Sequence, residues 1–411
     1  MQQDSSEKRV FVVGAGPAGM MAAATAASRG HCVTLLEKNP MAGKKLLITG
    51  KGRCNVTTAC DRERFFEHVA RNPKFLYAAF AAFDNRDAMD LFEKLGVPLK
   101  VERGERVFPQ SDRAADVRDA LVRHCRQQGV RFVQGRALSL VTHEGGIAAL
   151  RTQEGELECD AVILATGGLS YPATGSTGDG YRMAREAGHT VVEPRPSLVP
   201  IVTRESWPQR AMGLSLRNVA LTMWREGDRR PLFREQGELL FTHFGLSGPL
   251  VLTASTLIRE GESFSLSIDC KPALTPQQLD ARLLRDFSEF SNRDFSNALD
   301  KLLPKKLIPI VVELSGIPPA AKVHSLTKEQ RKRLVELVKG IPLTVQGLRP
   351  VEEAIVTAGG ISTKEVDSRT MQSKIVKGLY FAGELLDLDA TTGGFNLQIA
   401  YSTGFLAGAS V

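Results

Sequence analysis

The chain has 411 residues, of which 43% are apolar and 24% charged, enough for two or three domains with substantial cores. Its apolar runs, such as Ala161 to Ala165 and Leu307 to Val312, stop far short of the roughly 20 residues a bilayer span requires, so no membrane helix is expected. The net charge of +7 suits an anionic partner, although a solvated basic surface is the plainer reading.

Met1 to Arg9 is polar and mixed in charge, without the apolar middle of a secretory leader, and the expected location is the cytoplasm. Val10 to Val13 predicts a strand, Gly14-Ala15-Gly16-Pro17-Ala18-Gly19 a glycine turn, Met20 to Ser28 a helix and Val33 to Glu37 a second strand. In that order these elements form a dinucleotide fingerprint. Gly14 permits the tight turn, Gly16 lets the backbone approach a pyrophosphate and Gly19 allows close helix packing. Glu37, with Lys38 beside it, is placed to accept from an adenosine ribose hydroxyl and disfavours a 2′-phosphate.

Helical periodicity follows over Arg86 to Leu95 and Ala114 to Gln128. Glu158 to Ala165 reads as a strand ending in Thr166-Gly167-Gly168, with Gly167 to Gly180 a loop near the carboxyl edge of the sheet. Beyond Val192, Pro194, Pro196 and Pro200 break the chain. Alternation over Val219 to Trp224, Glu238 to Thr242 and Ser263 to Asp269 then predicts an antiparallel β domain of residues 194–273 and 341–349. Residues 274–340 are expected to form a small helical domain. Its stretch from Lys301 to Gly340 holds nine cations against three carboxylates. Val351 to Ile361 and Gly378 to Gly383 read as sheet strands and Leu397 to Ala409 as a helix, returning the chain to a first domain of residues 1–193 and 350–411.

The cofactor is decided at the far end. Gly383-Glu384 closes a buried strand, Asp387 follows, and a glycine-rich turn leads through Gly394-Phe395-Asn396-Leu397 into a helix. Such a helix presents its first amides to the flavin pyrimidine ring, where negative charge collects on reduction. This returning strand and helix, together with Ala165-Thr166-Gly167, point to FAD in an α/β, glutathione-reductase-like Rossmann domain. The six cysteines (Cys32, Cys54, Cys60, Cys125, Cys159, Cys270) show no C-x-x-C and no metal-ligand spacing, so neither a disulfide framework nor a metal site is expected.

The block Gly43-Lys44-Lys45-Leu46-Leu47-Ile48-Thr49-Gly50-Lys51-Gly52-Arg53-Cys54-Asn55 is the most distinctive. With it, the fingerprint, Phe241 to Pro249, Thr357-Ala358-Gly359-Gly360 and the terminal Ala-Gly-Glu and Thr-Gly-Gly-Phe-Asn, the whole chain resembles the BaiN/YhiN-like, or aminoacetone-oxidase-like, family of flavoproteins. In length and block order it is similar to the enterobacterial YhiN-type branch. The resemblance implies an FAD fold with two inserts, one barrel-like and one helical. It also implies Lys44, Lys45, Lys51, Arg53, Cys54 and Asn55 as candidate cofactor contacts. Activities linked to the family are aminoacetone oxidation, reduction of a bile-acid enone and, in the YhiN-type branch, NADH-dependent dihydrouridine synthesis in 23S ribosomal RNA.

For that last reaction, hydride from flavin N5 to uracil C6 must be matched by a proton at C5. Cys54, beside Lys51 and Arg53, is one candidate donor, since nearby cations tune a thiol; a structural Cys54 is the competing reading. His243, in a Thr-His-Phe-Gly loop, is the other, against a hydrogen-bonded structural role. Lys51 and Arg53 suit the cofactor pyrophosphate or an RNA phosphate, or belong to a solvated loop. No second glycine fingerprint is present, so NADH is expected as a transient reductant. A small-molecule oxidoreductase, and an RNA-binding factor keeping FAD as a relic, are the alternatives.

Overall fold

The computed structural model describes residues 7–289 and 291–411; the polar residues 1–6, part of the expected leaderless start, lie outside them. Two compact units are formed, one from Met1–Ser197 with Pro350–Val411 and one from Leu198–Arg349.

The first unit is built on a five-stranded parallel sheet in the order Leu379–Phe381, Ala161–Leu164, Arg9–Val13, Cys32–Glu37, Arg131–Gln134. These short β-branched runs are buried on both faces, as parallel strands require. The helix Pro17–Ser28, alanine-rich and buried nearly all round, packs on the C-terminal helix Phe395–Ser410. Glycines set their separation. A Cβ on Gly404 would stand 2.3 Å from the Ala18 carbonyl oxygen, and one on Gly408 2.3 Å from that of Ala22.

Two predicted strands differ from what is observed. Glu158 to Ala165 is divided at Cys159-Asp160: Gly155–Glu158 joins an antiparallel three-stranded sheet and Ala161–Leu164 the parallel one. Val351–Glu353 is a 3₁₀ turn, and Val356–Ile361 pairs antiparallel with Val191–Ser197 rather than joining the parallel sheet. Pro194 and Pro196 therefore punctuate a strand of the first unit, whose pairing is irregular between Val192 and Arg195, while Pro200 falls in the second unit.

The second unit contains a closed antiparallel barrel in the order Ile201–Thr203, Gly245–Ser247, Phe233–Phe241, Ser215–Arg225, Phe264–Asp269, Ile341–Leu348. Helices Pro276–Glu289, Ile308–Ser315 and Lys328–Lys339 form an excursion between its last two strands and share one apolar core with it. A reciprocal Thr327–Gln330 cap starts the last helix. The basic stretch is less free than its composition suggests. Lys301, Lys322, Arg331, Lys332 and Lys339 pair with Glu289, Asp294, Asp280, Glu336 and Asp269. Lys305, Lys328 and Arg333 remain exposed and without an ion pair among the described residues.

Gly404→Ala is expected to lower stability by about 1–3 kcal/mol through overpacking. Gly347→Ala, where an added Cβ meets nothing within 4 Å, should cost far less. Thermal unfolding of both variants checks this, and equal midpoints would refute the backbone-contact account.

Candidate functional site

The fingerprint separates its three glycines by environment. Gly14 has φ +102°, and a Cβ there would lie 2.6 Å from the Ala165 carbonyl oxygen; one on Gly19 would lie 1.8 Å from that of Gly14. These two are held by packing, while a Cβ on Gly16 would meet nothing within 4 Å. The following helix has no side-chain cap, so its first amides, those of Ala18 and Gly19, point out of its N-terminus past Pro17. Glu37 accepts from the Ala15 amide at 2.8 Å and from the Asn39 amide and side chain, each at 2.8 Å. Lys38 reaches Thr177 at 2.5 Å and Asp179 at 2.6 Å, and Arg136 meets Asp179 at 2.7 Å. Burial opposes ionisation of Asp179, but the hydrogen bonds from Lys38 and Arg136 outweigh it and hold its carboxyl at about 2.

In the 43–55 block, Lys44 donates to the Ala173 carbonyl at 2.7 Å. Lys45 donates to Ser170 at 2.6 Å and to Glu384 at 2.7 Å. Glu384 also accepts from the Ser170 hydroxyl at 2.9 Å and the Thr357 amide at 2.8 Å, so its charge is fully engaged. Lys51 is exposed with φ +59°. Arg53 is bound by Glu102 and Asp112 and lies 4.2 Å over the Phe108 ring, an arrangement that commits its guanidinium to carboxylates rather than to a phosphate. Cys54 departs from its expected character as a cation-tuned thiol. It is fully buried, burial pushes the thiol up to about 12 against a weak opposing bond from Thr49, and the neighbouring Arg53 is already neutralised. Asn55 Oδ1 and Thr166 Oγ1 are buried without a hydrogen-bond partner.

At the C-terminal end, Gly383 donates to Thr403 at 2.9 Å. Asp387 meets Arg71 at 3.4 Å and Asn72 at 3.1 Å, and Asp389 meets Arg71 at 3.3 Å and accepts from Ser197 at 2.7 Å. Gly394 has φ +99° and lies so close to Thr57 that a Cβ would stand 2.3 Å from its carbonyl oxygen. The helix that follows also lacks a side-chain cap, leaving the amides of Phe395, Asn396 and Leu397 at its mouth. Asn396 braces the turn through the Ala390 amide at 3.0 Å and carbonyl at 2.8 Å.

Thr357 lies in one of the blocks that carry the family resemblance, whereas three other residues important to this arrangement, His68, Arg71 and Ser170, carry no local sequence pattern. His68 stacks on Phe395, with ring centroids 4.4 Å apart, and its Nδ1 lies 2.8 Å from the Thr391 hydroxyl. His243 belongs to the other unit, exposed at a barrel turn and edge-on to Phe244 at 4.8 Å. Among the described residues no group of three or more His, Cys, Asp or Glu could hold a metal. No described helix is long and apolar enough to cross a membrane.

The HI0933-like protein Rossmann-domain family matches residues 8–410. The chain belongs to the HI0933-like family. It is 33% identical to a 3-dehydro-bile acid delta(4,6)-reductase of Clostridium scindens, over 97% of this chain and 98% of the relative. It is 32% identical to a ribosomal RNA dihydrouridine synthase of Escherichia coli, over 96% of each chain. A protein of the same name from Haemophilus influenzae is 30% identical over 98% of each. The structure of a 3-ketosteroid-delta4-(5alpha)-dehydrogenase from Rhodococcus jostii shares the fold, with a TM-score of 0.50 at 16% identity over 100% of this chain and 98% of that one. The chain is an FAD-dependent oxidoreductase, and the resemblance to BaiN/YhiN-like flavoproteins holds. The residues fit a flavin dinucleotide: open space at Gly16 before uncapped amides, partnerless buried oxygens on Thr166 and Asn55, and a second uncapped helix mouth at residues 395–397.

Two outcomes follow from the charges. Native protein treated with iodoacetamide should be labelled at exposed Cys32 and not at buried Cys54, and Cys54→Ala should keep substrate turnover within a few-fold. Labelled Cys54, found by peptide mass spectrometry, would reinstate it as a reactive thiol. Asp179, depressed to about 2, contributes stability above its ordinary 3.8 that is lost as pH falls toward 2. Asp179→Asn should therefore cost about 1–2 kcal/mol at pH 6, a gap that closes in acid urea titrations; a pH-independent gap would mean the ion pairs contribute nothing.

Proposed function

We propose that this oxidoreductase reduces uridine to dihydrouridine in 23S ribosomal RNA, with NADH as the source of electrons, and that it works in the cytoplasm. The reading is carried by the match, across both units, to two proteins named ribosomal RNA dihydrouridine synthase. The charge distribution supports it independently. Of 53 Lys and Arg and 46 Asp and Glu, residues 198–349 hold 22 and 16, leaving 31 and 30 for the first unit. The positive excess thus belongs to the barrel and its helices, where phosphate neutralisation would supply affinity and orientation. The target base would have to be unpaired or extruded.

In this scheme the amides of the Gly14 to Gly19 turn hold the cofactor pyrophosphate, Glu37 its adenosine ribose, and the helix mouth at Gly394 to Leu397 its pyrimidine ring. Lys38, Lys44, Lys45, Asn55, Ala165 to Gly167, Gly383, Glu384 and Asp387 complete the binding surface. Bound FAD supplies hydride transfer from NADH to a carbon–carbon double bond. The identity to the C. scindens reductase favours one competitor, reduction of a small enone. Its name denotes saturation of a conjugated double bond, and the uracil C5=C6 bond, conjugated with the C4 carbonyl, is chemically the same kind of acceptor.

The decisive assay reduces the protein anaerobically with NADH, adds a large-subunit ribosomal RNA fragment or a small-enone panel, and follows flavin reoxidation with analysis for dihydrouridine. Reoxidation by RNA, with dihydrouridine formed and rates falling steeply with salt, is expected. Flavin left reduced by RNA but reoxidised by an enone overturns the RNA reading.

A further inference from the structure

Saturating a conjugated double bond requires a hydride at one carbon and a proton at its neighbour. Cys54 is sealed in the core, and His243 lies in the other unit. His68, by contrast, is built onto the turn that leads to the uncapped C-terminal helix. Its ring stacks on Phe395, the first residue of that helix, at 4.4 Å and 24°. Its Nδ1 lies 2.8 Å from Thr391 Oγ1, its carbonyl accepts from the Thr391 amide at 3.0 Å, and Val69 and Ala390 form an antiparallel bridge beside it. Backbone and side chain are thus both pinned to Thr391. Nδ1 is committed, and Nε2 is the ring nitrogen without a protein partner among the described residues.

The groups facing this imidazole are Arg64 and Glu67 from its own helix and Glu105 from the neighbouring loop, with Arg64 and Glu105 paired at 2.7 Å. Arg71, further along, is engaged by Asp387 and Asp389. Burial first, then Arg64, holds His68 below its ordinary value, with Glu67 and Glu105 opposing, so that the imidazolium is a willing proton donor.

We propose that His68 donates, from Nε2, the proton that completes reduction of the substrate double bond. The inference rests on the reading that this enzyme reduces a conjugated C=C, whether in RNA or in a small enone. The hydride brings one hydrogen and two electrons to the β-carbon, and the π pair moves to the α-carbon and takes up the imidazolium proton. A neutral imidazole is left, which water reprotonates. In the charged form, Nδ1–H donates to Thr391 Oγ1, fixing the ring with Nε2–H outward.

The test uses the full FAD-loaded chain, reduced anaerobically with dithionite, as parent and as His68→Gln. Reoxidation by the RNA fragment, and separately by 2-cyclohexenone, is followed from pH 5 to 9. The parent rate should fall as pH rises through the titration of His68. The variant should be about 100-fold slower at low pH and pH-independent, with flavin absorbance and dithionite reduction unchanged. An unaltered rate and pH profile in the variant overturns the proposal. If only the enone reoxidises the parent, the RNA reading falls while the same comparison decides the role of His68.

A readout free of any acceptor is the midpoint potential of the bound flavin against pH. Charge placed on the cofactor should draw an extra proton onto His68 in the parent and not in His68→Gln, and superimposable curves overturn the assignment. Thr391→Val keeps the imidazole but removes the acceptor for Nδ1–H. It should move the pH limb to lower values even where His68→Gln fails to retain FAD, and an unmoved limb counts against the proposal.

Discussion

The first unit depends on one backbone contact between chain segments almost 400 residues apart. Gly404 and Gly408 let the C-terminal helix rest on the carbonyl oxygens of Ala18 and Ala22, and Gly383 brings a third segment against the Ala18 methyl. Small residues achieve there what large side chains achieve in ordinary cores: they bring backbone close to backbone and fix its position. Both uncapped helix N-termini are oriented by that contact, because each belongs to one of the two helices. A cofactor site made of amides requires such precision, since an amide cannot adjust by rotamer as a side chain does. The contact also forces a non-local fold. The parallel sheet takes its edge strand from Leu379–Phe381, so the first unit can close only after residues 198–349 have been made.

Around this frame, charge is confined by pairing. Glu384 would be costly to bury alone, and Lys45, Ser170 and the Thr357 amide together offset that cost. Arg71 does the same for Asp387 and Asp389. Each pair joins segments distant in the chain, the 43–55 block or the residues after His68 to the strand and turn beyond Phe381, so electrostatics and packing select the same arrangement. Hydrogen bonds to an ionised group also have narrow geometry, which helps hold the turn at residues 383–394 in one conformation.

What could be read directly from the sequence was whatever local covalent pattern specifies. The fingerprint, the alanine-rich helix, the Ala-Gly-Glu strand and the alternating barrel strands all follow from spacing within a dozen residues. What could not be read depended on partners elsewhere. Cys54 looked exposed to cations because Lys51 and Arg53 flank it, yet Glu102 and Asp112 capture Arg53 and the core encloses the thiol. The basic stretch from Lys301 reads as unbalanced because four of the carboxylates that pair with it, at 269, 280, 289 and 294, precede it in the chain. Val351 to Ile361 reads as a sheet strand, but only the bulged, proline-bearing segment at Val191–Ser197 determines which sheet its Val356–Ile361 part enters.

The same separation bears on how one family serves dissimilar substrates. A bile-acid enone and a uracil ring share little shape, but in each a carbonyl withdraws electrons from a neighbouring double bond. One carbon is therefore open to hydride, and the other develops the charge that a proton quenches. A site providing a fixed hydride donor and a fixed acid needs no redesign between them. The first unit, with 31 cations against 30 carboxylates, has no electrostatic preference for a polyanion. The second, with 22 against 16, carries the positive excess. In the proposed scheme, hydride chemistry belongs to the first unit and phosphate attraction to the second, and the two are held by different cores.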